Sequence, residues 1–315
     1  MRKLVIASLV SLALVGCDSG SSESSSNSGK FNLAFSDAPV DGLKKVCVAF
    51  DKITVHHING NESNWGTTSF AADQGSAECV PDGHAIPVDN NGNPEFMVIN
   101  LMAYQGEQFL QVLSDEQMEA GQYTQMRLSV LEKGNYTDGT PYSHVVTDTN
   151  ATEGIRVPSG ELKLDGFDVV ADATQAYTLE FDLRKSMVEN ANGYQLKPRG
   201  IRLVNNQDVA TISGEVELGG GACGNIIDDA FVYVYSAPTG GAHGDLGSSS
   251  EPYTSAGVDL ISGKFEIGYV PLGSYDIVLV CNGGEDDPEK AGDQLTIDSS
   301  FVGEVLTASG RTFKF

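Results

Sequence analysis

A cysteine thiol that follows a small residue at the end of a short apolar run is an acyl acceptor, and Leu14-Val15-Gly16-Cys17 has that order. Arg2 and Lys3 supply the basic start and Leu4 to Val15 the apolar run, so residues 1–16 read as a lipoprotein signal and Cys17 as the lipidated first residue of the mature chain. The run is too short for a permanent span, which needs roughly 20 apolar residues. A diacylglycerol on the Cys17 sulfur plus an amide-linked chain gives more than one anchoring chain, as stable attachment to a lipid bilayer requires. The other cysteines, Cys47, Cys79, Cys223 and Cys281, are an even set in an exported chain and read as disulfides. Of three possible connectivities, Cys47–Cys79 and Cys223–Cys281 is expected, because each half of the chain holds two. Thiolate-bound zinc would want close pairs such as C-x-x-C, and there are none.

No catalytic signature accompanies them. The chain has no G-x-S-x-G elbow, no H-E-x-x-H, no phosphate loop and no Rossmann glycine fingerprint, and it reads as non-enzymatic. His56 and His57 are adjacent, but neighbours on a strand point to opposite faces and cannot easily share a metal. Asp37, two residues before Pro39, fits turn-forming hydrogen bonding at the end of a first strand better than catalysis. Trp65, the lone tryptophan, sits in the loop-like Asn59-Gly60-Asn61-Glu62-Ser63-Asn64-Trp65-Gly66. An exposed indole flanked by amides suits sugar stacking, and a hydrophobic plug over the end of a sandwich is the competing use. Two acidic loops carry oxygen ligands that could serve calcium: Asp89, Asn91, Asn93 and Glu95 in one, Glu285, Asp286 and Asp287 in the other. Neither is an EF-hand, since Pro94 stands where the glycine must be, and as solvated turns they need no ion.

Charge limits the partners. The formal net charge is −24, and losing Arg2 and Lys3 with the signal takes it to −26. Such a field repels phosphate, so nucleic acid and anionic lipid surfaces are disfavoured, and solubility is its plainest role.

The elements that must position these residues are strands. Asp18 to Gly29 has seven serines and no apolar side chain, so residues 17–29 form a lipidated, flexible tether spanning about 20 Å. Short alternating runs follow, among them Phe31 to Phe35, Val46 to Phe50, Gln125 to Val130 and Tyr177 to Leu183, separated by Gly, Asn, Asp and Pro. The fold class is all-β, two antiparallel β-sandwich domains. Only Ser114 to Met118 and Arg184 to Asn190 suggest single helical turns. A joint at Asn205-Asn206-Gln207-Asp208 divides residues 30–205 from 206–315. Seven strands are expected in the second half: 211–218, 230–235, 264–267, 275–280, 294–297, 303–306 and 311–315.

The first half resembles the bacterial family called domain of unknown function 4382. The segments that carry this are Leu33-Ala34-Phe35-Ser36-Asp37-Ala38-Pro39-Val40-Asp41, Glu119 to Leu128, Pro158 to Leu164 and Gln195-Leu196-Lys197-Pro198-Arg199. The resemblance implies an exported lipoprotein with a β-sandwich and brings no catalytic residues. The second half is similar to carboxypeptidase regulatory-like, or transthyretin-like, sandwiches, in Ile212 to Val216, Asp229 to Val234, Ser262 to Ile267 and Val270 to Ile277. Such modules occur as spacers, adhesive repeats and carbohydrate binders. Together these features imply a cell-envelope protein that binds or displays, its partner a carbohydrate or an envelope protein. A calcium-dependent adhesin and an envelope hydrolase, or a subunit accessory to one, are the rival classes.

Overall fold

Phe31, Leu33 and Phe35 recur at every second residue, and in the strand Ser28–Ala38 that period puts all three into the core. The computed structural model describes residues 27–315 except 39, 41, 72–74, 218–221, 226–228 and 238–241. Cys17, the signal and the Ser-rich segment up to residue 26 therefore lie outside the described residues, and Ser28 and Gly29, expected in the flexible tether, instead begin the first strand, paired with Glu119 and Met118.

The molecule is all-β. In the first half a four-stranded sheet runs in the order Ile201–Asn205, Thr174–Asp182, Ser28–Ala38, Leu110–Glu119. It faces a larger sheet centred on Leu43–His57 and Gly121–Val130, and Phe31, Phe35, Phe50, Val55, Leu128 and Phe181 fill the space between. In the second half Lys264–Pro271, Val209–Glu215 and Arg311–Lys314 form one sheet, and Thr254–Gly257, Phe231–Ser236, Gly273–Val280 and Ile297–Leu306 the other. Ile212, Val232, Phe265, Ile277 and Phe313 pack between those two. The described strands of each half pair only within that half.

Several local expectations change. Most pairings are antiparallel, but Ser28–Ala38 runs parallel to Thr174–Asp182, and Val209–Glu215 parallel to Arg311–Lys314. Ser114 to Met118 is not a helical turn. It belongs to the strand Leu110–Glu119, whose register shifts opposite Phe31 and Leu33 and leaves Asp115 at φ 53, so the turn-like Ser-Asp pair marks a bulge. A turn does form at Leu183–Ser186, but Met187–Asn190 is already a strand. The expected strand 294–297 does not form, since residues 294–296 lie outside any strand; Ile297 instead opens a strand that runs through 303–306 to Leu306 with two shifts of register, and Thr254–Gly257 is a strand whose small residues gave no signal.

Both disulfides form as expected, Cys47–Cys79 with Cα atoms 5.7 Å apart and Cys223–Cys281 with 5.2 Å. The first closes a sequence separation of 32 and is packed with Phe96, Val98 and Tyr136. Loop closure of that length stabilises by about 4 kcal/mol in the chain-entropy picture. The double variant Cys47→Ala, Cys79→Ala should lose about 3–4 kcal/mol in denaturant unfolding, and non-reducing peptide maps should hold no link between the two halves.

Candidate functional site

Five of the 19 Lys and Arg residues in this acidic chain crowd between positions 184 and 202: Arg184, Lys185, Lys197, Arg199 and Arg202. All five reach the second half. Asp182 caps the turn Leu183–Ser186 by accepting from the Lys185 backbone N–H at 3.3 Å, and Ser186 Oγ donates to the Asp182 carbonyl at 2.9 Å. The turn ends the strand before it and aims Arg184 across the seam between the halves. There Arg184, 5 % exposed, donates to Ser255 Oγ at 3.0 Å, to Tyr233 OH at 3.3 Å and to the Gly283 carbonyl, with its guanidinium 3.7 Å from the Phe231 ring centre. Lys185 donates to the Tyr253 carbonyl at 3.0 Å and pairs with Glu251, while Arg199 binds Glu251 and the Pro288 carbonyl. Lys197 meets Glu289 at 2.6 Å.

Arg202 joins this seam to a buried acidic cluster. It pairs with Glu180, lies 3.9 Å from Asp182, donates to the Tyr253 carbonyl at 2.9 Å and stacks 4.2 Å from the Tyr253 ring centre. Beside them stands Asp37, 2 % exposed, with no hydrogen-bond partner at either carboxylate oxygen. It is no turn residue: it lies in the strand Ser28–Ala38 alongside Phe181. Burial, and then the charges of Glu180 and Asp182, hold Asp37 well above the ordinary carboxylate range. Burial pushes Glu180 up to about 7, against the downward pull of Arg202 and with Asp182 reinforcing the rise. Burial also lowers Lys185. The acidic cluster belongs to the first half and meets the second through Arg202 on Tyr253.

The residues expected from sequence are distributed otherwise. Trp65 is corrected: it lies in the strand Glu62–Gly66, 6 % exposed, pairs with Ile53, stacks near Phe31 and donates from Nε1 to Glu116 at 2.8 Å. Its indole plugs the core and is not presented for sugar stacking. His56 turns to Glu62 and His57 to the Tyr123 ring. Asp89 accepts from the backbone N–H groups of Asn91 and Asn93 at 2.8 and 2.9 Å, a loop closed on its own carboxylate, and Glu95 bonds through its backbone to Pro87. Of the second trio, Glu285 is exposed and Asp287 faces Lys290. Asp286 alone turns inward, bringing a carboxylate oxygen within 4.8 Å of ones on Asp245 and Asp293, two residues that sequence reasoning had not singled out. These oxygens are already engaged: Asp286 by Leu246 N–H and Tyr233 OH, Asp245 by Gly292 and Asp293 N–H, and Asp293 by Asp287 N–H. Through these donors the group laces loops together. The basic cluster at 184–202 was the sequence signal for the seam.

Comparison with protein families matches residues 28–198 to the model described as domain of unknown function (DUF4382). No curated protein matches the chain. Among solved structures, the Bacillus anthracis TIE protein is 9 % identical with a TM-score of 0.19, the match covering 91 % of this chain and 33 % of that one, so this chain spans about a third of its length. The major pilin subunit of Bacillus cereus is 9 % identical with a TM-score of 0.19, covering 91 % and 70 %. Likeness at this level bears on neither site nor activity.

Two outcomes test the seam. Glu180 and Asp37 hold their protons more tightly folded than unfolded, so their contribution is complete below the unfolded carboxylate range and is lost as pH rises through the folded value, about 7 for Glu180. Urea unfolding should give a larger free energy at about pH 5.5 than at about pH 8.5, by on the order of 1–3 kcal/mol, and Glu180→Gln should flatten that slope. Arg184→Ala leaves the Gly283 carbonyl without its guanidinium and a gap over Phe231, an expected loss of about 2–4 kcal/mol. Limited proteolysis should then cut near Asn205 to Asp208, and Arg184→Met, which refills the gap, should be milder.

Proposed function

We propose that this chain, which belongs to the DUF4382 family, is a lipid-anchored cell-envelope protein that binds or displays rather than catalyses. The observation that carries the reading is Leu14-Val15-Gly16-Cys17 followed by a Ser-rich polar segment that runs from Asp18 up to the strand beginning at Ser28. Acylation of Cys17 fixes one end in a bilayer, and the tether lifts the body about 20 Å from it. Two intact disulfides suit an oxidising compartment outside the cytoplasm. Among the described residues no helix is long and apolar enough to cross a membrane.

On this reading residues 30–205 and 206–315 are two sandwich domains, the second of the carboxypeptidase regulatory-like kind. The five-cation seam holds them in one orientation, as a module that presents a surface requires. The partner is a carbohydrate or an envelope protein, and the acidic field disfavours nucleic acid. Wild type should incorporate labelled palmitate in the bacterium and partition into detergent, and Cys17→Ser should abolish both. A wild-type chain that takes up no label would overturn the anchor.

A further inference from the structure

The outer face of the three-stranded sheet in the second half is polar row by row. Glu266, Ser213 and Thr312 stand side by side across its strands, with Ser213 Oγ 3.3 Å from Thr312 Oγ1. The next row is Lys264, Glu215 and Lys314. Ile212, Phe265 and Phe313 point the other way, into the core. An open hollow of about 450 Å³ lies over the first row and one of about 570 Å³ over the second, and the two adjoin at Ser213, Glu266 and Thr312 to make a shallow trough.

One wall of the trough is a loop of the first half, and its seating is specific. A Cβ on Gly268 would collide with the Gly106 carbonyl, and Gly106 has φ +63, so the loop and the strand meet backbone to backbone. Glu107 N–H donates to Glu266 Oε1 at 3.1 Å, Thr211 Oγ1 donates to Glu107 Oε1 at 2.5 Å, and Tyr269 OH donates to the Glu107 carbonyl at 3.2 Å. Tyr269 holds φ 54, rare for a bulky side chain, where the ladder to Val209–Glu215 shifts register. Tyr269 is one of the residues that line the cavity, with its hydroxyl held on the Glu107 carbonyl. Strain of this kind persists only where the surroundings impose it, and it gathers at binding sites.

We propose that this trough is the binding site of the module and that its ligand is a neutral carbohydrate. The inference rests on the binding reading above and narrows it. A sugar hydroxyl both donates and accepts, so it is matched by intermixed acceptors and donors: the carboxylates of Glu107 and Glu266 and the hydroxyls of Ser213 and Thr312, with Arg311, paired to Glu304, at the rim. The three carboxylates, Glu107, Glu215 and Glu266, are balanced by three cations, Lys264, Arg311 and Lys314, so the lining has no net charge to select an ionic polymer. An extended peptide would need apolar pockets for alternate side chains, which these polar rows do not offer.

The test is a glycan array of neutral hexose and N-acetylhexosamine oligomers, with uronic acid oligomers as the charged control, probed with the detergent-solubilised full chain, then calorimetry with the best neutral probe. Wild type should bind neutral oligomers over uronic ones. Glu266→Gln, which keeps an acceptor for Glu107 N–H, and Thr312→Ala, an exposed change, should each weaken binding about tenfold with the unfolding midpoint unchanged. Unaltered affinity in both variants would overturn the trough as the site. No neutral oligomer bound by wild type would overturn the carbohydrate assignment, whereas the anchored reading stands or falls separately on Cys17 labelling.

Discussion

A guanidinium removed from water must find its hydrogen bonds within the protein. Arg184 carries that constraint for the whole chain, because it projects from a single helical turn of the first half into a site made by Tyr233, Ser255 and Gly283 of the second. Leaving a buried ion unpaired costs several kcal/mol, yet a paired one is close to neutral against an apolar replacement of the same shape. The consequence is therefore orientation more than net stability. Arg184, Lys185, Lys197, Arg199 and Arg202 are satisfied together by one docking, in which Glu251, Tyr253, Gly283 and Glu289 all lie within reach.

The same constraint gives part of the acidity a structural meaning. Glu251 receives Lys185 and Arg199 and also the Gly247 N–H, while Glu289 receives Lys197. Asp245, Asp286 and Asp293 tie loops by accepting backbone N–H groups. A loop carboxylate that satisfies amide donors looks, in sequence, the same as one that ligates an ion, since both need an oxygen beside turn residues. Asp89 illustrates the ambiguity: its turn reads as a cation loop until the donors of Asn91 and Asn93 are seen to close on it.

Features with short-range causes were legible in the sequence. Apolar alternation located Phe31 to Phe35 and Tyr177 to Leu183, and cysteine parity together with the joint near Asn206 located both disulfides. Features with long-range causes were not. Trp65 looked exposed because its neighbours are amides and glycines, but pairing with Ile53 and the acceptor on Glu116 bury it. Asp37 looked like a turn residue because Pro39 follows, yet the parallel strand beside it supplies Glu180 and Asp182 and makes it part of a buried acid cluster. The basic run at 184–202 was visible as a count, while its partners lie between residues 233 and 289.

The seam and the trough share one strand. Ser36 Oγ donates to the carbonyls of Tyr104 and Gln108, and the Asp37 N–H donates to Tyr104, so the strand ending in the unpartnered Asp37 carboxylate also holds both ends of the loop that walls the trough. Glu107 near the middle of that loop grips Glu266 and Thr211. The strand that lies beside Thr174–Asp182, and so beside Glu180 and Asp182, therefore also fixes the loop whose Glu107 meets the second half.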